Sequence, residues 1–171
     1  MTISFVSASS SNANSITMPS HQQWDLLVAV VHRIASITPP TIPSGWTVAN
    51  SVSGGSNVIV VCYKIAASSG ETSGTFTNAD QIAVSVYRSD SQILSLDNGF
   101  AQTGTAGSGG NILHPAVNSP SPVTNKWLLS AYAHRSHSPH AASASQTQHV
   151  HVSTPYFRAR RRGNYATDRQ D

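Results

Sequence analysis

The feature that most constrains the fold of this chain is a series of short strand-type runs separated by turn clusters. The runs are rich in β-branched and aromatic residues, or they alternate between apolar and polar positions, and helical periodicity is almost absent. Turn signals such as Ser53-Gly54-Gly55 and Ser68-Ser69-Gly70 recur at intervals of about 8–12 residues. The predicted strands are residues 3–6, 24–32, 46–52, 57–66, 74–78, 81–88, 126–134, 149–153 and 156–162.

This spacing predicts an all-β protein, a single antiparallel β-sandwich that is Ig-like or jelly-roll-like, with little or no helix. A run that is apolar throughout, such as residues 57–66, is expected at the centre of a sheet. An alternating run, such as residues 81–88, is expected to face solvent on one side. We predict that the Ser/Asn-rich residues 1–20 form a flexible N-terminal arm and that residues 21–171 form the sandwich domain.

The composition indicates which class of protein such a domain belongs to. Charged residues make up 10% of the chain, against roughly 25% in a typical soluble protein. A polar but weakly charged surface suits a secreted or virion protein better than a cytosolic enzyme. The longest apolar runs are too short to span a membrane, and the N-terminus has no signal-peptide pattern. The lone cysteine, Cys62, lies inside an apolar run and is predicted to be a small buried hydrophobe.

The formal charge of +3 is concentrated near the C-terminus, where four arginines fall within residues 158–162. In an extended strand, Arg158, Arg160 and Arg162 lie on one face and the intervening residues on the other. Three guanidinium groups on one face suit the carboxylates or phosphates of a partner. We predict that these arginines bind an acidic protein surface. Nucleic acid is the less favoured partner, because no interleaved aromatics or nucleic-acid motif accompany them.

Histidines form two patterns that could hold a metal. His134, His137 and His140 are spaced three apart in a Ser/Pro-rich segment that is not expected to be helical, so they share no face. His149 and His151 are two apart on a predicted strand and form the better candidate pair. No nearby carboxylate supports either group, so we expect neither a metal nor a cofactor.

Signatures of catalysis are weak. The seven carboxylates are scattered along the chain, and there is no GxSxG, P-loop or zinc-type cysteine spacing. Serines and histidines are numerous, so a Ser-His-Asp set remains possible by count. The sequence nevertheless favours a protein that is not an enzyme and has no catalytic residues.

Four motifs resemble β-sandwich domains from the structural proteins of tailed bacteriophages. Such domains carry an "aGDLLvv" strand, a Pro-Ser-Gly-Trp-Thr turn, a "YKiA" strand end and a "vxYRg" strand. The matching residues lie within residues 16–90, and they are Asp25-Leu26-Leu27, Pro43-Ser44-Gly45-Trp46-Thr47, Tyr63-Lys64-Ile65-Ala66 and Val86-Tyr87-Arg88. This chain has Trp24 and Ser89 where the pattern has glycine.

The resemblance implies a phage virion structural protein. A small sandwich without fibre repeats fits a capsid decoration (cement) protein that binds the outer capsid surface and stabilises it non-covalently. Its partners would be the major capsid protein and copies of itself, with a trimer possible. The alternative is a tail-tip or fibre-associated module that binds host-surface glycans through the long loops at residues 103–110 and 134–148. A metal-dependent or hydrolytic sandwich enzyme is a third, weaker interpretation.

Overall fold

The computed structural model describes residues 2–91, 93–96, 127–133, 146–153 and 156–162; in the last three ranges the described side chains are those of Trp127, Leu129 and Ala131. These residues form strands and connecting loops, and no helix occurs among them. The predicted all-β class is confirmed. The strands are β1 (Ile3–Ser11), β2 (Leu26–Ile34), β3 (Thr47–Gly54), β4 (Asn57–Ile65), β5 (Gln81–Ser89), β6 (Leu128–Ala133), β7 (Gln146–Ser153) and β8 (Tyr156–Arg162).

Five of these strands form one antiparallel sheet in the order β1-β5-β2-β4-β3. The central strand is β2, which pairs with β4 on one side and β5 on the other. Its first seven residues are all buried, so both faces of the strand pack against other parts of the chain. This arrangement explains why the run LLVAVVH is apolar at almost every position instead of alternating.

The remaining strands form a second sheet in the order β6-β8-β7. Trp127 and Leu129 pack on the face of the larger sheet that carries Leu26, Val28 and Tyr87. Ala131 continues this contact further along the same face, and β7 lies beside β1 and β5. The Ig-like or jelly-roll-like sandwich stays a prediction.

The opposite face of the five-stranded sheet carries the largest hydrophobic core and is covered by loops. Side chains of β2, β4 and β5 point into this core, and Trp46 and Phe76 close it from the loops. Cys62 is fully buried there as a free thiol, as predicted from the sequence. Burial raises the pKa of the Cys62 thiol to about 12, so this group is neutral and unreactive at physiological pH.

Two turns show why the chain needs particular residues at its corners. Gly55 and Ser56, with φ of 56° and 60°, join β3 to β4 as a two-residue turn of type I′ geometry. In the Pro43–Trp46 turn, Gly45 has φ of 87° and the Trp46 N–H donates to Pro43 O at 3.4 Å. Trp46 is thereby directed into the core, where its indole N–H donates to Ser73 O at 3.0 Å.

The flexible arm predicted for residues 1–20 has to be corrected, because Ile3–Ser11 pair with β5 along an edge of the sheet. Composition suggested disorder, but the serine hydroxyls find partners in the segment that follows β1. Ser9 Oγ donates to Thr17 O at 2.8 Å, and Ser7 Oγ donates to Ser20 O. The predicted strand at residues 74–78 is also wrong, since this region contributes only an isolated bridge between Thr41 and Thr77.

Candidate functional site

The predicted arginine strand exists, and it occupies the centre of the second sheet. β8 spans Tyr156–Arg162, as predicted, and lies between β6 and β7. Arg160, next to its middle residue, is in register with Ser130 on one side and Gln148 on the other. The arginines are therefore on a strand that is paired on both sides, which fixes their spacing along the sheet.

Strand register also assigns the arginines to a face. Leu129 and Ala131 pack on the five-stranded sheet, and their register partners on β8 are Arg161 and Ala159. Directly opposed residues of an antiparallel pair share a face, and neighbours in sequence alternate. Arg158, Arg160 and Arg162 thus lie on the face turned away from the five-stranded sheet; these three positions are called the arginine face below.

The candidate metal pair lies on the neighbouring strand. His151 is opposite Arg158, whereas His149 falls at a β-bulge between Gln148 and Val150. A bulge interrupts the two-residue alternation on which a shared HxH face depends. The described residues contain no group of three His, Cys, Asp or Glu that could hold a metal ion. His134, His137 and His140 lie outside these residues.

An ion pair that the sequence analysis missed joins two of the quoted motifs. Asp25, 1% exposed at the start of β2, receives two hydrogen bonds of 2.7 Å from Nε and Nη2 of Arg88 near the end of β5. The Gln22 N–H donates to Asp25 Oδ2 at 2.8 Å. Burial alone would raise the pKa of Asp25, but the bonds from Arg88 and Gln22 outweigh it and hold that pKa below its usual value. In the sequence, the signals for this ion pair were the Asp of the "DLL" motif and the Arg of the "YR" motif.

The "YKiA" motif has a comparable structural role. Lys64 forms an ion pair with Glu71, and its ammonium lies 5.1 Å from the centroid of the Trp46 ring. Glu71 also accepts the Ala67 N–H. Burial opposes ionisation of Glu71, yet the hydrogen bond from Lys64 leads to a pKa below its usual value. Lys64 thus connects the loop that carries Glu71 to the sheet.

A groove of about 510 Å³ lies between residues 15–21 and residues 69–74. Its lining is mixed, with Met18 and Ile16 contributing apolar surface and Thr17 and Thr72 contributing hydroxyls. His21 also lines it and is buried, with Nδ1 bonded to Pro19 O at 2.7 Å. A carbonyl oxygen only accepts, so Nδ1 is the donor in this bond. Nε2 is buried and has no hydrogen-bond partner among the described residues.

No protein-family model, curated protein or solved structure matches this chain. The resemblance to phage virion domains accordingly stays a prediction. In the described part of the chain, no helix is long and apolar enough to cross a membrane.

Proposed function

We propose that this chain is a structural protein of a tailed-phage virion, and specifically a capsid decoration (cement) protein. The observation that carries the proposal is the arginine face, where Arg158, Arg160 and Arg162 lie at alternate positions of one central strand. Alternate residues on a strand are about 6.6–6.8 Å apart, a spacing that suits separate carboxylates on a flat protein surface.

The described polar groups support a binding role in preference to chemistry. Asp25 and Arg88 satisfy each other, Lys64 and Glu71 do the same, and the Cys62 thiol is buried and neutral. These groups are occupied in holding the fold together. A rigid all-β scaffold whose internal charges are paired presents its remaining charges to partners.

The mechanism is non-covalent clamping. Each guanidinium forms bidentate hydrogen bonds with a carboxylate of the major capsid protein, and each such bond is modest when it is partly solvated. Many symmetric copies on one particle add their contacts, so weak individual sites give firm overall attachment. Copies that bridge neighbouring capsid subunits, alone or as trimers, resist the internal pressure of packaged DNA. Nucleic acid and membranes are not partners in this scheme.

The test is co-sedimentation of the purified protein with capsids that were assembled without it. We expect Arg160→Glu to weaken attachment at least about tenfold, because a reversed charge faces capsid carboxylates. The matched control is Arg33→Glu, a reversal of the same size on β2, where Arg33 donates to Thr38 O. Equal attachment of the two variants would exclude the arginine face as the docking surface. Failure of the wild-type protein to sediment with capsids would overturn the proposed function.

The groove favours a second candidate, a tail-tip or fibre-associated module that binds host-surface glycans. The hydroxyls of Thr17 and Thr72 and the apolar surface of Met18 are what a neutral sugar would use. A glycan array tests it with Thr17→Arg, which fills the groove, and Thr38→Arg as an exposed control outside it. Glycan binding that only Thr17→Arg abolishes would support this candidate. An absence of glycan binding by the wild-type protein would exclude it.

The loops that the sequence predicts to bind glycans are residues 103–110 and 134–148. They lie outside the described residues apart from 146–148.

A further inference from the structure

Trp24 combines two unfavourable features at one position. Its φ is 74°, in the left-handed region that a bulky residue rarely adopts, and its side chain is 57% exposed. A glycine would take the same backbone conformation without strain, and a polar residue would be better solvated. Neither folding nor solubility explains a tryptophan here. An observed backbone outlier of this kind points to a functional constraint.

The surrounding contacts fix the strained conformation. The Trp24 N–H donates to Ala66 O at 2.8 Å, and the Asp25 N–H donates to Gln22 O at 3.2 Å across the turn. Asp25 is in turn held by Arg88, so both sides of the turn are anchored to the sheet. The backbone bearing Trp24 is therefore held in place, so no backbone ordering has to accompany the binding of a partner there.

The fold brings Trp24 and one end of the arginine face to the same end of the molecule. Leu26, two residues after Trp24, is in register with Tyr87. The Tyr87 ring lies 5.8 Å from the ring of Trp127, which precedes β6. The first residue of β6, Leu128, is in register with Arg162. An exposed aromatic and an arginine position therefore belong to one end of the two sheets.

We propose that Trp24 is the hydrophobic anchor of the docking surface and that Arg162 flanks it. The partner is a protein surface with an apolar pocket for the indole and carboxylates nearby. Tryptophan and arginine are the residues most enriched at the energetic centres of protein interfaces. A neutral sugar would leave the arginine unused, whereas an acidic protein surface uses both groups. The proposal rests on the function proposed above, in which this partner is the capsid.

The deciding variant is Trp24→Gly, which removes the indole and also relieves the backbone strain. We expect its urea midpoint to equal or exceed that of the wild-type protein, while its attachment to capsids falls at least about tenfold. Trp24→Phe keeps an aromatic side chain and should attach with intermediate strength. The control is Ile37→Ala, which shortens another exposed apolar side chain, 71% exposed, and should attach like the wild type.

The outcomes separate this inference from the proposed function. If the wild-type protein and Trp24→Gly attach to capsids equally, Trp24 is not an anchor, although the decoration role stands. A lower urea midpoint for Trp24→Gly would show that the indole serves the fold, which also overturns the inference. If the wild-type protein does not attach at all, the decoration role fails, and this assignment of Trp24 fails with it.

Discussion

The two ends of β2 each bury a polar side chain, and the fold satisfies them to different degrees. At the start of the strand, Asp25 is ionised and receives a bidentate pair of bonds from Arg88 together with the Gln22 N–H. Its backbone is also tied to the neighbouring segment, since the Ala66 N–H donates to Asp25 O at 2.9 Å. This end carries a charge, and the described donors surround it.

At the other end, His32 is fully buried and is held less completely. Nδ1 is 3.1 Å from Gln81 Oε1, while Nε2 has no hydrogen-bond partner among the described residues. Burial lowers the pKa of His32 below its usual value, although the hydrogen bond with Gln81, the nearby Asn57 side chain and the charge of Asp80 oppose the shift. The imidazole is therefore neutral at physiological pH.

The contrast shows that the ionised Asp25 and the neutral His32 need different numbers of hydrogen-bond partners. A buried charge is tolerated only with a full set of partners, so the Asp25 end is rigid and can hold Trp24 in a strained conformation. A buried neutral imidazole tolerates one missing bond at a smaller cost. The stability contribution of the His32 end therefore declines as the pH falls below 6.5, whereas that of the Asp25 end declines only below 3.8.

The largest effect should come from Arg88→Met, which leaves the Asp25 carboxylate buried without its counter-charge. We expect a loss of about 2–4 kcal/mol in the free energy of unfolding, measured by urea denaturation. The range is set below that of a fully buried pair because the Arg88 side chain is 37% exposed and water screens part of the charge. Arg33→Met, at the other end of β2, should cost under about 1 kcal/mol. Equal losses would contradict the contrast.

The second effect is a dependence of stability on pH that belongs to His32. Its folded-state pKa is lowered, so the unfolded chain takes up the proton first as the pH falls below the ordinary value of 6.5. This contribution to stability is complete above that value and declines below it, by at most about 1.4 kcal/mol per pH unit. Urea titrations between pH 7 and 5 should show a flatter slope for His32→Gln. An unchanged slope would mean that other groups cause the decline.

Asp25 provides the acid counterpart in the same titration. Its folded-state pKa is also lowered, so its contribution is complete above the ordinary value of 3.8 and is lost only as the pH falls below it. The slope between pH 7 and 5 should therefore be the same in Asp25→Asn as in the wild-type protein.

A small loss of stability should come from Asn12→Ala. Asn12 Oδ1 accepts from Gln81 Nε2 at 3.1 Å, and Gln81 in turn bonds with His32. Loss of one partly buried hydrogen bond should reduce the free energy of unfolding by about 0.5–1.5 kcal/mol. A loss as large as that of Arg88→Met would contradict the contrast between the two ends.

Strands were predictable where the local pattern is strong. Residues 57–66 and 81–88 were placed to within one residue of β4 and β5, and β8 was placed without error. β1 was underestimated because its serines are satisfied by residues that follow the strand. Sheet order depends on contacts between distant segments, and no local pattern encodes it.

The candidate site was predictable to a similar degree. Alternation along one strand was enough to group Arg158, Arg160 and Arg162 on a single face. The pairing of Asp25 with Arg88 joins residues 63 positions apart, so only the fold reveals it. The left-handed conformation of Trp24 follows from closure of a turn that these two residues anchor. The sequence signal for this conformation was the glycine that the phage-domain pattern has at the position of Trp24.

The measurement that tests the central claim most directly is immunogold labelling of intact virus particles with an antibody to this chain. A decoration protein that attaches through its surface and performs no chemistry predicts label spread over the head. Label at the tail would favour the glycan-binding candidate. Particles that carry no label at all would contradict the account of this protein as a virion component.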